Sequence, residues 1–555
     1  MKTIALLLGA GSLAAAAAMA QTSSSSAPDA SPALPPFGPL VGPGRTLQTS
    51  DMTNPNPLIP ADIYRNGAVA HQDLATFAWL EFISAVAPNA AGRRGVPGGS
   101  FATSGNGSAG PLVWETYQHR TELFPCNVNG TSSTPTPPQP WGTAPKYVTT
   151  VSGSNPQLCS SITVPGGGPL PFNNLDEANQ IGQNTLFFPT TPGNPQPATD
   201  PQVLFEAKVN QYESNYVNAN YASFIPKFAP FHLSPGITLP TTTVEVKAAW
   251  RPLSSIPASQ RYRYHVSNVL TYSGSDASPV TRVVPYALIA LHIIHKTPNY
   301  PAFVFATFEQ VDDFRNQVTG QPSGVYYVPA YGSVGYTTPA TTTFPPSGKT
   351  VTNPNIGFNV NAPRAQPYGT NGVALPLGNV SSIPGAKVLK GGVVAVPVTS
   401  PVPTVPEVAN VNSQALAAMR KVPGFGQNFI WQYYKLTGVQ AIPTNSDNTR
   451  DFYLANIVVE SSQPGIQLFR GFPPITNGVL TNIRNQTNVI DYHNGGLTSS
   501  GGCQGCHGIA QTQNGFDFSF LFFGVAGGGF SPETAGLPTP QVAEARLANK
   551  RYFTK

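Results

Sequence analysis

Cys503-Gln504-Gly505-Cys506-His507 puts two thiols and an imidazole within five residues. At the spacing C-x-x-C-H, each thiol can add to one vinyl group of a porphyrin, and the neighbouring imidazole takes the iron. The chain has four Cys and eight His in 555 residues, so such a grouping has few chances to arise. The motif therefore predicts one covalent haem c, bound through Cys503 and Cys506, with His507 as the proximal iron ligand. Half of a zinc site or a dithiol redox pair is the competing reading, and a zinc site needs a second Cys pair nearby that the sequence lacks.

The other side of the iron decides the chemistry. A strong sixth ligand suits electron transfer, whereas an open iron suits peroxide or oxygen. After Ala20 the only methionines are Met52 and Met419, and Met419 shares a predicted helix with Leu416. On a strand, His292 and His295 must point to opposite faces, so only one of them can face the iron. His295 keeps company with Ile289, Leu291 and Ile293, a setting for an axial ligand or for a hydrogen-bonded core histidine. His493 is near the motif in sequence. The distal candidates are thus His295, Met419 and His493, beside an open iron. Only 48 residues follow His507, and none is Met or His. A self-contained small haem domain is not expected there; the haem should lie against the rest of the chain. Phe516, Phe518, Phe520, Phe522 and Phe523 would pack the porphyrin and the core. Glu309 and Asp312-Asp313 are either proton donors or turn and ion-pair residues.

Several features must position these groups. Met1-Lys2 followed by apolar Ile4 to Ala18 and Ala18-Met19-Ala20 reads as a secretory signal peptide cleaved after Ala20. Residues 21–60 read as an extended leader. Residues 61–240 form a loop-rich region with helices, and residues 241–485 a β-rich body. Residues 486–555 carry the haem motif, packed on that body. Export places the protein in the periplasm or outside the cell, where Cys126 and Cys159 are expected to form a disulfide. No transmembrane segment is expected after cleavage. Charged residues are 10% of the chain and form no long runs, which argues against nucleic acid as a partner.

The fold class expected is β-rich with minor α: a large antiparallel sheet or sandwich with long Gly/Pro-rich loops and a C-terminal haem-attachment segment. Apolar spacing predicts a helix over 71–87, ended by Pro88, and a second over 203–219. Residues 243–247, 261–266, 286–295 and 302–308 read as strands of one sheet. Asn412-Ser413 reads as the cap of a helix through Met419. Residues 429–434 and 454–459 read as strand or helix, and 541–550 as a last helix.

Three segments carry a narrower likeness. They are Leu291-His292-Ile293-Ile294-His295-Lys296-Thr297, then Phe305-Ala306-Thr307-Phe308-Glu309-Gln310-Val311-Asp312, then Phe516-Asp517-Phe518-Ser519-Phe520-Leu521 after the haem motif. Together with the motif, and in this order, they resemble a family of large exported bacterial c-type cytochromes. The resemblance spans residues 240–525. It implies haem binding and electron transfer, and no substrate. In that family His is expected where Gln310 stands, so a role carried by that position does not transfer to this chain.

The expected function is therefore an exported mono-haem cytochrome exchanging single electrons with a redox partner protein. A haem enzyme of peroxidase or oxygenase type with an open iron is the alternative. A surface or binding protein with an accessory haem is a third.

Overall fold

The computed structural model describes residues 33–64, 70–107, 110–125, 137–151 without 143, 158–177, 185–188, 194, 196, 200–228, 238–313 without 276–277 and 302, and 406–441. It also describes short strands between 326 and 498, and Asp517, Ser519 and Leu521.

The architecture is a large antiparallel sheet with few helices. Its strands are β1 (Gln118–His119), β2 (Leu204–Val209), β3 (Val244–Pro252), β4 (Val266–Ser275), β5 (Ser278–His295), β6 (Val304–Gln310) and β7 (Tyr434–Gln440). The spatial order is β1-β2-β3-β5-β6-β7, with β4 paired to the first part of β5. Every pairing is antiparallel. β5 is the spine: residues 286–295 pair with β3, residues 290–295 with β6, and residues 278–287 with β4. Pro279 and Pro285 fall in the part flanked by β4 alone, where a missing N–H is tolerated.

One face of this sheet is apolar over β3, β5 and β6, while β2 places the buried Glu206 and Lys208 on it. Val244, Val246 and Ala248 of β3, Leu291 and Ile293 of β5, and Val304, Ala306 and Phe308 of β6 are buried there in one cluster. Helix α1 (His71–Ala85) supplies Phe77, Trp79, Phe82 and Ile83 to the same cluster. Phe82 stacks on Phe308 at 4.1 Å, and Trp79 meets the Phe308 edge at 5.0 Å. Removing apolar area of this size from water is the main force holding α1 to the sheet. This side is called the α1 face below.

The expected strands over 243–247, 286–295 and 302–308 all lie in this sheet. Residues 203–219 are not one helix: β2 ends at Val209 and helix α2 (Gln211–Phe228) begins after Asn210. The Asn210 side-chain oxygen accepts from the Glu213 N–H at 3.2 Å, an N-cap that fixes the break. Residues 261–266 are not one strand either. A 3-10 turn runs over Ala258–Arg263 and β4 starts at Val266. Pro257, with φ fixed near the turn value, seeds it, and the Arg261 side chain closes onto the Ile256 carbonyl at 3.0 Å.

Helix α3 (Pro406–Met419) starts earlier than its expected cap, because Pro406 suits the first helical position. Asn412, inside the helix, instead ties three elements together. Its Oδ1 accepts from Trp79 Nε1 at 2.9 Å and from the Leu436 N–H at 3.1 Å. Its Nδ2 donates to the Leu436 carbonyl at 2.9 Å. Residues 429–434 divide into a 3-10 turn (Ile430–Tyr433) and the start of β7. Residues 454–459 and 541–550 lie outside the described residues. Among the described residues, no helix is long and apolar enough to cross a membrane.

Candidate functional site

The sheet's other face carries polar rows of its own. Paired residues in an antiparallel ladder share a face, so the register lays out rows across the strands. One row is Val209, Glu245, Ile294, Phe305 and Gln440. The next is Ala207, Lys247, His292, Thr307 and Gly438. The third is Phe205, Ala249, Ala290, Glu309 and Lys435. Lys247, His292, Thr307, Glu309 and Gln440 are all buried. Buried polar side chains in the middle of a sheet cost free energy unless they are partnered, and Thr307 Oγ1 partners His292 here.

His292 stands at the centre. Its Nδ1 meets Thr307 Oγ1 at 2.6 Å across the β5–β6 pair. Its ring lies nearly parallel to Phe305, 6.1 Å between centroids at 18°. Lys247 sits opposite it on β3, with Nζ 5.6 Å from the Phe205 ring.

The chain beyond the C-x-x-C-H motif packs on this same face. Asp517, Ser519 and Leu521, every second residue, are all buried. Asp517 Oδ2 accepts from Lys296 Nζ at 2.5 Å and from the Leu239 N–H at 2.6 Å. Lys296 also donates to the Leu239 carbonyl at 2.8 Å. Leu521 joins the apolar cluster of Phe303, Phe305, Ile294, Val209, Val217 and Leu239. Phe303 adopts φ 72°, a conformation that a bulky side chain rarely takes, and it is buried beside Lys296.

Two carboxyls share this corner. Glu213 of α2 and Glu245 of β3 are both buried and face each other without a hydrogen bond of ordinary geometry. Burial raises Glu213 well above the usual carboxylate range, and the Glu245 charge adds to the rise. Burial pushes Glu245 from its ordinary 4.5 up to about 8; Ser519 pulls it back and Asp517 pushes it further up. Glu245 therefore folds as a neutral acid. Its contribution to stability is complete below about pH 4.5 and is lost as pH rises towards 8, by about 1.4 kcal/mol per pH unit. Glu245→Gln should flatten that slope. Melting temperatures of both proteins from pH 5 to pH 8 should converge at the acid end and separate at the alkaline end, with the variant higher. Parallel curves would contradict the assignment.

The other histidines lie elsewhere. His295 is on the α1 face, and its Nδ1 meets Glu81 Oε1 at 2.7 Å. Its ring lies between Phe37 at 5.4 Å and Phe77 at 5.7 Å. Burial lowers His295 to about 3 and raises Glu81, so the pair carries no net charge. His265 Nε2 meets Glu115 Oε1 at 3.1 Å, and His119 Nε2 lies 3.3 Å from Asp176 Oδ1. Met419 is buried at the end of α3 in the α1-face core, and Met52 belongs to the same cluster. His493 ends the short strand Asp491–His493. Asp312 pairs with Arg263 at 2.7 Å and accepts from the Tyr264 hydroxyl at 2.6 Å, while Glu309 faces the polar rows. Cys503, Cys506, His507 and Cys126 lie outside the described residues; Cys159 falls in the strand Leu158–Ser161. Among the described residues, no three His, Cys, Asp or Glu side chains group as a metal site.

Sequence reasoning did not single out the row Lys247–His292–Thr307 or the anchor Lys296–Asp517. The alternation of Thr243-Val244-Glu245-Val246-Lys247 carried part of the signal, since it puts two charges on one face of a strand whose other face is apolar.

No family model, no curated protein and no solved structure matches this chain. On the polar face an imidazole is fixed in orientation by Thr307. Phe305 provides an apolar flank.

Proposed function

We propose that the protein is an exported mono-haem c-type cytochrome that passes single electrons to or from a redox partner protein. The observation that carries this reading is Cys503-Gln504-Gly505-Cys506-His507. It is supported by the burial of Asp517, Ser519 and Leu521 on the polar sheet face, ten residues beyond His507. Ten residues reach at most about 33–36 Å, so Asp517 tethers the motif within that distance of the face. Bound haem supplies a one-electron iron couple. The chain's part is to hold it, fix its axial ligands and limit water around it, since ligand identity and burial set the potential. Export rests on Met1 to Ala20, and the Cys126–Cys159 disulfide is proposed with it.

A haem enzyme with an open iron is the second reading. It is favoured by the same rows, where Lys247, His292 and Glu309 offer proton-transfer groups on one face.

The test is the haem itself. Full-length protein exported from a strain able to mature c-type cytochromes should carry one haem per chain that survives denaturation and acid–organic extraction. The pyridine haemochrome should be that of a c-type haem. Replacing both Cys503 and Cys506 by Ala should abolish the covalent haem. Wild-type protein without covalent haem overturns the proposal.

A further inference from the structure

We infer that the buried tryptophans form a relay that carries an oxidising equivalent out of the core to Tyr262 at the surface. The path uses none of the residues of the haem motif, so it operates whether or not a haem is bound.

The path is a chain of rings. Trp114, Trp250, Trp431 and Trp79 are all buried. Trp114 and Trp250 have their centroids 5.8 Å apart. His265 sits between Trp250 and Trp431, at 6.3 Å and 5.6 Å. Phe82 sits between Trp431 and Trp79, at 5.6 Å from each. Trp431 meets Tyr434 at 5.3 Å. The 3-10 turn Ile430–Tyr433 then brings Tyr433, two residues from Trp431, against Tyr262, with the rings edge to face at 5.9 Å. Tyr262 is 39% exposed. Centroid separations of this size are those of aromatic rings in contact. Packing alone asks only for apolar bulk. Here the most readily oxidised side chains, indoles and phenols, are joined from the core to water. An electron crosses rings in contact far faster than it crosses the same distance of aliphatic chain.

The indole N–H groups add a direction. Trp79 donates to Asn412 Oδ1 at 2.9 Å, Trp431 to Ser104 Oγ at 2.8 Å and Trp250 to Glu206 Oε1 at 2.9 Å. Trp114 Nε1 has no such partner among the described residues, and Lys208 Nζ lies 5.4 Å from its ring. A cation beside a ring opposes positive charge on it. A hole on Trp114 is therefore driven towards Trp250, whose N–H rests on a carboxyl oxygen.

The step balances as follows. A one-electron oxidant takes an electron from an indole, whose N–H proton is released, and a neutral indolyl radical remains. Tyr262 gives an electron back along the chain and its phenol proton to water. The indole regains one electron and one proton. A phenol is more readily oxidised than an indole at neutral pH, so the transfer runs outward. A soluble reductant of the ascorbate class returns the tyrosyl radical to the phenol.

The experiment uses the full chain. A light flash absorbed by tryptophan alone ejects an electron, which dissolved oxygen takes up. Freeze-quenched electron paramagnetic resonance, with ring-deuterated tyrosine to separate the signals, follows the radicals. Indolyl radicals should convert to tyrosyl radicals at a rate independent of protein concentration. Surface tyrosyl radicals should then couple two chains through a dityrosine bond that peptide mapping places at Tyr262. Trp431→Phe should leave the indolyl signal standing, because it cuts the path from Trp250 and Trp114. Tyr262→Phe should lose the dityrosine dimer. Indolyl radicals that decay without a tyrosyl signal would overturn the relay, and so would a conversion rate that rises with protein concentration. A dimer that is as abundant in Tyr262→Phe as in the wild type would overturn its endpoint. Tyr262 is at the surface, so that variant decides the matter even where Trp431→Phe does not fold.

Discussion

Replacing Asp517 by Ala should cost about 3–5 kcal/mol and loosen the chain beyond the haem motif from the sheet. Lys296 is 2% exposed, and its ammonium is held by Asp517 and the Leu239 carbonyl. Without the carboxylate, a buried cation stays behind with one neutral partner. The Leu239 N–H loses its acceptor as well. Both losses come from a single side chain, which puts the change at the upper end for point substitutions. Asp517→Asn should cost less, because an amide oxygen can still accept from Leu239 and Lys296. The pair Lys296→Met with Asp517→Leu should recover most of the loss, since apolar groups of similar volume avoid the desolvation of both charges. Urea denaturation of the four proteins measures the energies. Proteolysis under native conditions, read at the C-terminal side, shows whether the loosening is local. An Asp517→Ala protein as stable as wild type would mean that Lys296 reaches water by a small shift. The tail would then not be anchored as described.

The elements were legible where one period dominated and no cap intervened. The alternation in 243–247 and 302–308 and the apolar run in 286–295 identified three sheet strands, and α1 showed helical spacing. Residues 203–219 failed because strand and helix abut at Asn210, whose capping role looks like one more polar residue inside an apolar pattern. The opposed directions of His292 and His295 follow from the period of two alone. Which side each would face did not. That depends on α1 covering one face and Asp517 the other, contacts separated by 214 residues for Glu81–His295 and 221 for Lys296–Asp517. A motif of five adjacent residues is readable from the sequence. A row such as Lys247–His292–Thr307 is assembled from three strands, and its register is set by the whole sheet.

Breaking the Glu81–His295 pair from one side should destabilise the protein strongly and leave the haem spectrum as it was. The pair lies under α1 in the α1-face core, between Phe37 and Phe77, with both residues fully buried. Burial raises the Glu81 carboxyl and lowers the His295 imidazole to about 3, and a hydrogen bond at 2.7 Å joins them. Glu81→Ala removes it, leaves a cavity under α1 and strands the ring; about 3–4 kcal/mol is expected. Glu81→Leu together with His295→Phe should return most of this, because the neighbours are aromatic and apolar and an unsatisfied polar atom costs more than a missing bond. The haem bands and the response to carbon monoxide should match the wild type in every one of these variants. That result would show that His295 holds the core and not the iron. A high-spin spectrum in His295→Phe, with the fold intact by circular dichroism, would instead make His295 the ligand.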